Sequence, residues 1–216
     1  MRYEKGHKET TRQRILETAA ARFRKDGIES VGVADVMAEA GLTVGGFYAH
    51  FASKEELIDA TLRRAGMGLR TRLFDGIEAV PAEAQAAELI DRYLSAAHRD
   101  RNQEGLDCAL PAVTGEVGTT ATEHAPVLSD QVGLLIGRLQ SHLPATTRAP
   151  RLTAVALIAL LYGGLSLARA LRGTALSDEL LQACRALGRQ WLGSSSDGRS
   201  SDGKTYGDND FMEARS

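Results

Sequence analysis

The sequence predicts an all-α protein with a small three-helix head followed by a larger helical body. Apolar residues recur at three- and four-residue spacing from Ile15 to Leu192, as they do on the buried face of helices. Capping residues, glycines and prolines punctuate that pattern at helix-length intervals. No stretch alternates apolar and polar residues as a strand would, and no internal repeat is evident. At 216 residues, 43% hydrophobic and 25% charged, the chain has ordinary globular composition and enough length to bury a substantial core.

Residues 1–9 are polar and basic without periodicity, and read as a flexible arm. Thr10 with Gln13 has the spacing of a capping box, after which Ile15, Leu16, Ala19, Ala20 and Phe23 form a helical stripe that Gly27 ends. Val33, Val36, Met37 and Ala40 predict a second short helix with Gly32 at its N-cap, and Gly41 turns the chain through the left-handed conformation. Thr43 is placed to cap a third helix through its hydroxyl, with Phe47, Tyr48 and Phe51 as the bulky residues of 44–51. Ser53 and Glu56 make a second capping box. Two short helices joined by a tight glycine turn are the helix-turn-helix plan, whose second helix enters the major groove of DNA. The head is accordingly assigned to residues 10–54.

The body, residues 55–192, begins with a connecting helix through Leu57, Ile58, Thr61, Leu62, Ala65, Leu69 and Leu73, ending by Gly76. Pro81 opens a helix over 82–98, and a polar loop follows at 99–105. Residues 105–116 carry helical spacing with Pro111 inside, which predicts a kink or break. A further helix spans 123–143 with Pro126 near its start, where a missing N–H is harmless. Residues 152–171 are the most apolar segment, and Ser177 is expected to cap a last helix over 177–192. Residues 193–216 are rich in Ser, Gly and Asp and read as a disordered tail.

Arg14-Ile15-Leu16, Ala19-Ala20, Phe23, Gly27, Ala40-Gly41, Phe47-Tyr48, His50-Phe51 and Ser53-Lys54-Glu55-Glu56-Leu57 resemble the DNA-binding domain of TetR-family regulators. The likeness covers about the first quarter of the chain. It implies a transcriptional repressor that binds a double-stranded palindromic operator as a homodimer and is released by a small-molecule inducer. It also implies that Tyr48, His50 and Lys54 contact the DNA backbone, which all three suit as donors to phosphate oxygens. The family's Ser or Thr before the second helix is replaced by Gly32, which removes a hydroxyl able to meet phosphate. In the family the last two helices pair with their symmetry mates, a role that 152–171 and 177–192 fit, with two reading helices about 34–36 Å apart.

Base readout falls to the start of the third helix, Thr43, Val44, Gly45 and Gly46. Val44 can touch a thymine methyl, and only Thr43 can hydrogen-bond a base. Each glycine costs about 1 kcal/mol of helix propensity relative to Ala, a cost that fits close approach of DNA or, alternatively, avoidance of a clash with another helix. Lys5 and Lys8 are candidates to extend contact through the arm, whose plain reading is a loose chain end. A net charge of -2 does not announce nucleic-acid binding, but Arg2, Lys5, Lys8, Arg12 and Arg14 make the N-terminus locally basic.

A small-molecule cavity in the body is expected to draw on Tyr93, Cys108, Leu110, Pro111, Thr114, Leu135 and Tyr162, chosen by helix face. Cys108 is either a buried apolar filler or a redox or electrophile sensor. Cys108 and Cys184 are the only cysteines and lie far apart, which excludes a CxxC metal pattern and a disulfide framework, and the histidines show no i, i+4 pair. No metal, cofactor or catalytic residue is therefore expected. The charged N-terminus shows no signal peptide, so a cytoplasmic location is expected. The uncharged run 152–168 approaches the ~20 residues of a membrane span, which keeps a membrane-associated helical adaptor as an alternative, with an enzyme third; the flanking Arg151 and Arg169 and the neighbouring amphipathic helices favour burial in protein.

Overall fold

The computed structural model describes residues 2–100 and 110–194, and every regular element among them is helical. Helix α1 spans Arg2–Asp26, α2 Val33–Glu39, α3 Val44–Phe47 and α4 Lys54–Phe74. After a 3₁₀ turn at Ile77–Ala79 come α5 (Ala82–Tyr93), α6 (Ala96–Asp100) and α7 (Leu110–Val117). A second 3₁₀ turn at Thr122–His124 leads into α8 (Ala125–Gln140), α9 (Pro150–Ala170) and α10 (Ala175–Ser194). Cys108 and residues 195–216 lie outside the described residues.

Several boundaries differ from expectation for local reasons. The arm expected at 1–9 is instead the first part of α1. Thr10 Oγ1 donates to the Gly6 carbonyl at 2.9 Å and Gln13 Nε2 to Glu9 Oε1 at 2.5 Å, so Thr10 and Gln13 brace a continuing helix rather than cap a new one. Extending an existing helix needs no apolar face, because each added residue gains one backbone bond; periodicity was silent there for that reason. The helix expected over 82–98 breaks after Tyr93, because Ser95 Oγ donates to the Arg92 carbonyl and accepts from His98 N–H, starting α6 afresh. Pro111 stands in the first described turn of α7. Ser177 is not a cap: it is fully buried inside α10, donates to the Ala168 carbonyl at 2.7 Å and accepts from Arg99 at 3.0 Å.

Two hydrophobic cores organise the molecule. The first joins Ile15, Phe23, Met37, Phe47 and Phe51 of the head to Leu57 of α4 and to Val117, Ala121 and Val127 of the body. The second gathers Leu69, Phe74, Leu89, Ile90, Leu135, Leu139, Leu157 and Leu161. Helix α4 contributes Leu57, Ile58 and Leu62 to the first and Leu69, Leu73 and Phe74 to the second, so one rigid rod belongs to both. It ends at Phe74, and the chain then turns at Gly76, whose φ of 63° is one that L side chains rarely adopt.

The apolar α9 is long enough to cross a bilayer by composition, yet it packs along α10 and α8 and also meets α5 and α6. Its approach to α10 is set by Gly164, where an added methyl would lie 2.7 Å from Cys184 Sγ and 3.1 Å from Cys184 Cβ. Burial pushes the Cys184 thiol above its usual pKa, in keeping with a packing role. Gly164→Ala should therefore destabilise the fold by about 1–3 kcal/mol. A thermal melt reads this as a lowered midpoint, and Cys184→Ala in the same chain should recover much of the loss, since Sγ is the nearest obstacle.

Candidate nucleic-acid interface

The short α3 is held from behind and open in front. Phe47 and Phe51 are fully buried and stack with ring centroids 5.6 Å apart, fixing the segment against the head core. On the outer side Val44 is 47% and Tyr48 67% exposed, and the Tyr48 ring stands edge-on to Phe47 at 5.3 Å. The helix lasts only four residues before turns through His50, a reasonable length for a segment holding two glycines. Thr43 sits at the N-cap, but its hydroxyl makes no cap hydrogen bond; its carbonyl accepts from Gly46 N–H instead, which leaves the exposed side chain for another partner.

Gly45 and Gly46 separate the two explanations offered for them. A Cβ at Gly45 would meet nothing within 4 Å, and one at Gly46 would make only ordinary contact with Thr43 Oγ1 at 3.5 Å and Met37 at 4.0 Å. Neither residue has a positive φ. Packing and backbone geometry within the subunit therefore do not require either glycine, so avoidance of a neighbouring helix is not the reason for them.

His50 and Lys54 are half-buried beside this surface. Arg12 of α1 donates to the His50 carbonyl, lies over the Phe51 ring at 4.0 Å and pairs with Glu56 at 3.8 Å. It thus clamps the segment after α3 rather than standing with the outward basic residues of the N-terminus. Burial first, then the Lys8 and Arg12 charges, hold the His50 pKa below its ordinary 6.5, so the ring is neutral at pH 7. Its Nδ1 is buried without a hydrogen-bond partner, which favours the tautomer carrying its proton on Nε2. Lys54 donates to the Glu29 carbonyl at 3.3 Å. Lys8 is exposed on α1, and Lys5 is carried on the first turns of that helix. At the start of α4, Glu56 N–H donates to Ser53 Oγ, while the Glu56 carboxylate accepts from Ala52 N–H, one residue earlier than a reciprocal capping box requires.

The body grips the head through contacts that sequence reasoning missed. The Glu116 carboxylate of α7 accepts from Ile28 N–H at 2.8 Å and Glu29 N–H at 3.2 Å. Gly27 permits this close seat: its φ is 87°, and an added Cβ would lie 3.0 Å from both carboxylate oxygens. Buried His124 pairs through Nδ1 with Asp59 of α4 at 2.8 Å. Nothing local in sequence marks Glu116, which is 88 residues from Ile28. Arg12 did carry a signal, since its spacing to Ile15, Leu16 and Ala19 puts a cation on the buried face of α1.

The expected pocket residues do not converge among the described residues. Tyr93 and Leu135 are core side chains of the body, Thr114 and Tyr162 are half-buried, and the side chains of Leu110 and Pro111 and all of Cys108 are outside the description. The clefts that are present lie elsewhere. One of about 410 Å³ is lined by Leu69, Arg72, Asp91, Arg92, Ser95 and His98, and one of about 580 Å³ opens between α4 and α8. Tyr93 and Leu135 are taken up instead in the packed apolar core of the body. Among the described residues no group of three His, Cys, Asp or Glu side chains is arranged to hold a metal.

Comparison with known proteins agrees with this geometry. Residues 15–61 match the family described as bacterial regulatory proteins, tetR family. The HTH-type transcriptional repressor KstR2 of Mycobacterium tuberculosis is 43% identical over 58 residues, which are 27% of this chain and 29% of that protein. The HTH-type transcriptional regulator TtgR of Pseudomonas putida is 39% identical over 62 residues, 29% of this chain and 30% of its own. The aligned segments thus span less than a third of these relatives. Over the whole chain the fold is similar to SCO4454, a TetR-family transcriptional regulator from Streptomyces coelicolor, with a TM-score of 0.72 and 23% identity over 87% of this chain and 90% of that one. The reduced form of NemR from E. coli gives a TM-score of 0.72 at 19% identity, covering 84% and 96% of the two chains. The head, residues 15–61, thus matches the tetR family of bacterial regulatory proteins, and the fold of most of the chain is similar to that of solved TetR-family regulators.

Proposed function

We propose that the chain is a dimeric repressor that binds a near-palindromic DNA operator and is released by a small-molecule effector. The observation that carries this reading is the bare outer face of α3. Val44, Gly45 and Tyr48 face outward, and the two glycines serve no packing need of the subunit. A surface without side chains at Gly45 and Gly46 lets the helix backbone approach DNA closely. Thr43 and Val44 supply the base-edge contacts. Tyr48, His50, Lys54 and Lys8 supply phosphate contacts that fix position without reading sequence, and Lys5 on the first turns of α1 extends the same basic run. With so few groups able to read bases, the shape and deformability of the operator carry much of the specificity.

Dimerisation follows from the apolar side chains left uncovered on the last two helices. Leu152, Val155 and Leu167 of α9 and Leu176, Leu187 and Trp191 of α10 are all exposed in the single subunit. A two-fold pairing of these faces covers them and sets two reading helices on successive major grooves. An effector acts by binding one arrangement of α4 better than another. Since α4 belongs to both cores and Glu116 ties α7 to the turn after α1, a shift in the body reaches the head directly. The protein works in the cytoplasm, where DNA is available to it.

Two experiments test this reading. Gly45→Ala should leave the thermal midpoint unchanged or raise it, by up to about 1 kcal/mol of helix propensity, while weakening operator binding at least tenfold in fluorescence anisotropy. An unchanged affinity would remove the argument from close approach. Leu187→Glu with Leu152→Glu should convert the dimer to a monomer in light scattering and lower operator affinity in parallel, with helical content retained by circular dichroism.

A further inference from the structure

The arginines of the body are mostly paired with carboxylates. Arg92 meets Glu88, Arg99 meets Asp100 and Asp178, and Arg189 meets Asp91. Arg70, near the end of α4, has no carboxylate partner among the described residues. Its guanidinium donates only to neutral oxygens of Gln131, the side-chain Oε1 at 3.1 Å and the carbonyl at 3.5 Å. Its pKa is pulled down by burial alone, whereas Asp91 raises that of Arg189. A partly desolvated cation bound only to neutral acceptors is the arrangement that gains most from an incoming anion.

Arg70 stands on one wall of the 580 Å³ cleft, a volume within the ~300–1,000 Å³ usual for small-molecule sites. The walls are α4 and α8, which run in the same direction here, since Arg70 meets Gln131 and Phe74 meets Arg138 four and seven residues further along each helix. Met67 and Leu134 line the cleft and are 55% and 54% exposed, an apolar surface left open by the described residues. Arg138 lies over the Phe74 ring at 5.1 Å and pairs with Glu78 at 3.7 Å. That pair is solvent-exposed and loose, so it yields easily to a competing acceptor. The charged residues lining the cleft balance, Arg70 and Arg138 against Asp75 and Glu78, but Glu78 pairs with Arg138 and Asp75 borders the Gly76 end, so neither carboxylate is a partner of Arg70 beside the apolar wall.

We propose that this cleft binds a monoanionic amphiphile, a carboxylate on an aliphatic chain, with its headgroup on Arg70 and Arg138 and its chain against Met67, Leu134 and Phe74. With Asp75 and Glu78 on the same cleft, a singly charged carboxylate is repelled less than a doubly charged phosphate. Binding also has a structural consequence. Gln131 is wedged against Gly66, where a Cβ would come within 2.5 Å of its Oε1. Drawing Arg70 away from Gln131 releases that wedge and changes the spacing of α4 and α8, so the ligand acts on the rod that carries the head. Its effect on DNA rests on the repressor reading above; the binding itself does not.

The test is isothermal titration of the full chain, without DNA, using decanoate and its uncharged counterpart decanamide. The wild type should bind decanoate at least tenfold more tightly than decanamide, and Arg70→Gln should abolish that preference with an unchanged thermal melt. Arg138→Gln, at a more exposed position, should weaken decanoate binding several-fold, and Leu134→Asp should weaken both compounds. Equal affinity for the two probes, no measurable binding of either, or a decanoate affinity that survives both arginine substitutions would overturn the proposal. If Arg70→Gln does not fold, Arg138→Gln and Leu134→Asp decide it. Failure of the unliganded chain to bind DNA would instead count against the preceding reading and leave this result standing.

Discussion

The structure depends on α4 being common to two cores. Leu57, Ile58 and Leu62 lock its start against Phe47 and Phe51, while Leu69, Leu73 and Phe74 lock its end among the body helices. A helix buried at both ends cannot shift in one core without loading the other, because well-packed interiors switch between discrete arrangements rather than deform continuously. Glu116 adds a second link, from α7 to the backbone after Gly27. Head and body are thereby coupled through apolar packing and through charge-assisted hydrogen bonds at once.

That coupling explains how so short a reading helix keeps its geometry. Four residues with two glycines have almost no intrinsic tendency to remain helical. Phe47 supplies a buried anchor within α3 and Phe51 a second one a turn later, and Arg12 grips the His50 carbonyl from the opposite side. The outer face is then free of structural duties, which is the condition a recognition surface must meet. His50 fits the same arrangement: burial and then the neighbouring cations keep it neutral, so on the proposed reading it would meet phosphate as a hydrogen-bond donor rather than as a charge.

Much of this was legible in the sequence, and the misses have physical causes. The helix-turn-helix, the ends of α4 at Ser53 and Gly76, and the apolar span of α9 could be read because caps, glycines and 3.6-residue periodicity act locally. The start of α1 was missed because a helix can be extended by backbone bonds with no apolar face to announce it. Thr43 and Ser177 have cap-forming chemistry, but one hydroxyl is left exposed and the other is recruited to the Ala168 carbonyl by tertiary packing. The positions proposed to face DNA were chosen from a motif, and the structure adds that Gly45 and Gly46 are not needed for packing among the described residues. The pocket residues were chosen by helix face alone. Helix faces say which residues turn inward, and only the packed structure says whether inward means cavity or core, as Tyr93 and Leu135 illustrate.

The central claim is that an uncovered α3 face, presented twice by a symmetric dimer, reads DNA. The most direct measurement is selection of DNA fragments bound by the purified full-length chain at low salt, followed by hydroxyl-radical footprinting of the winners. The account predicts enrichment of a near-palindromic site, protected on one face of the duplex in two patches about one helical turn apart. Recovery of fragments with no shared sequence or shape, or protection of a single isolated patch, would contradict it.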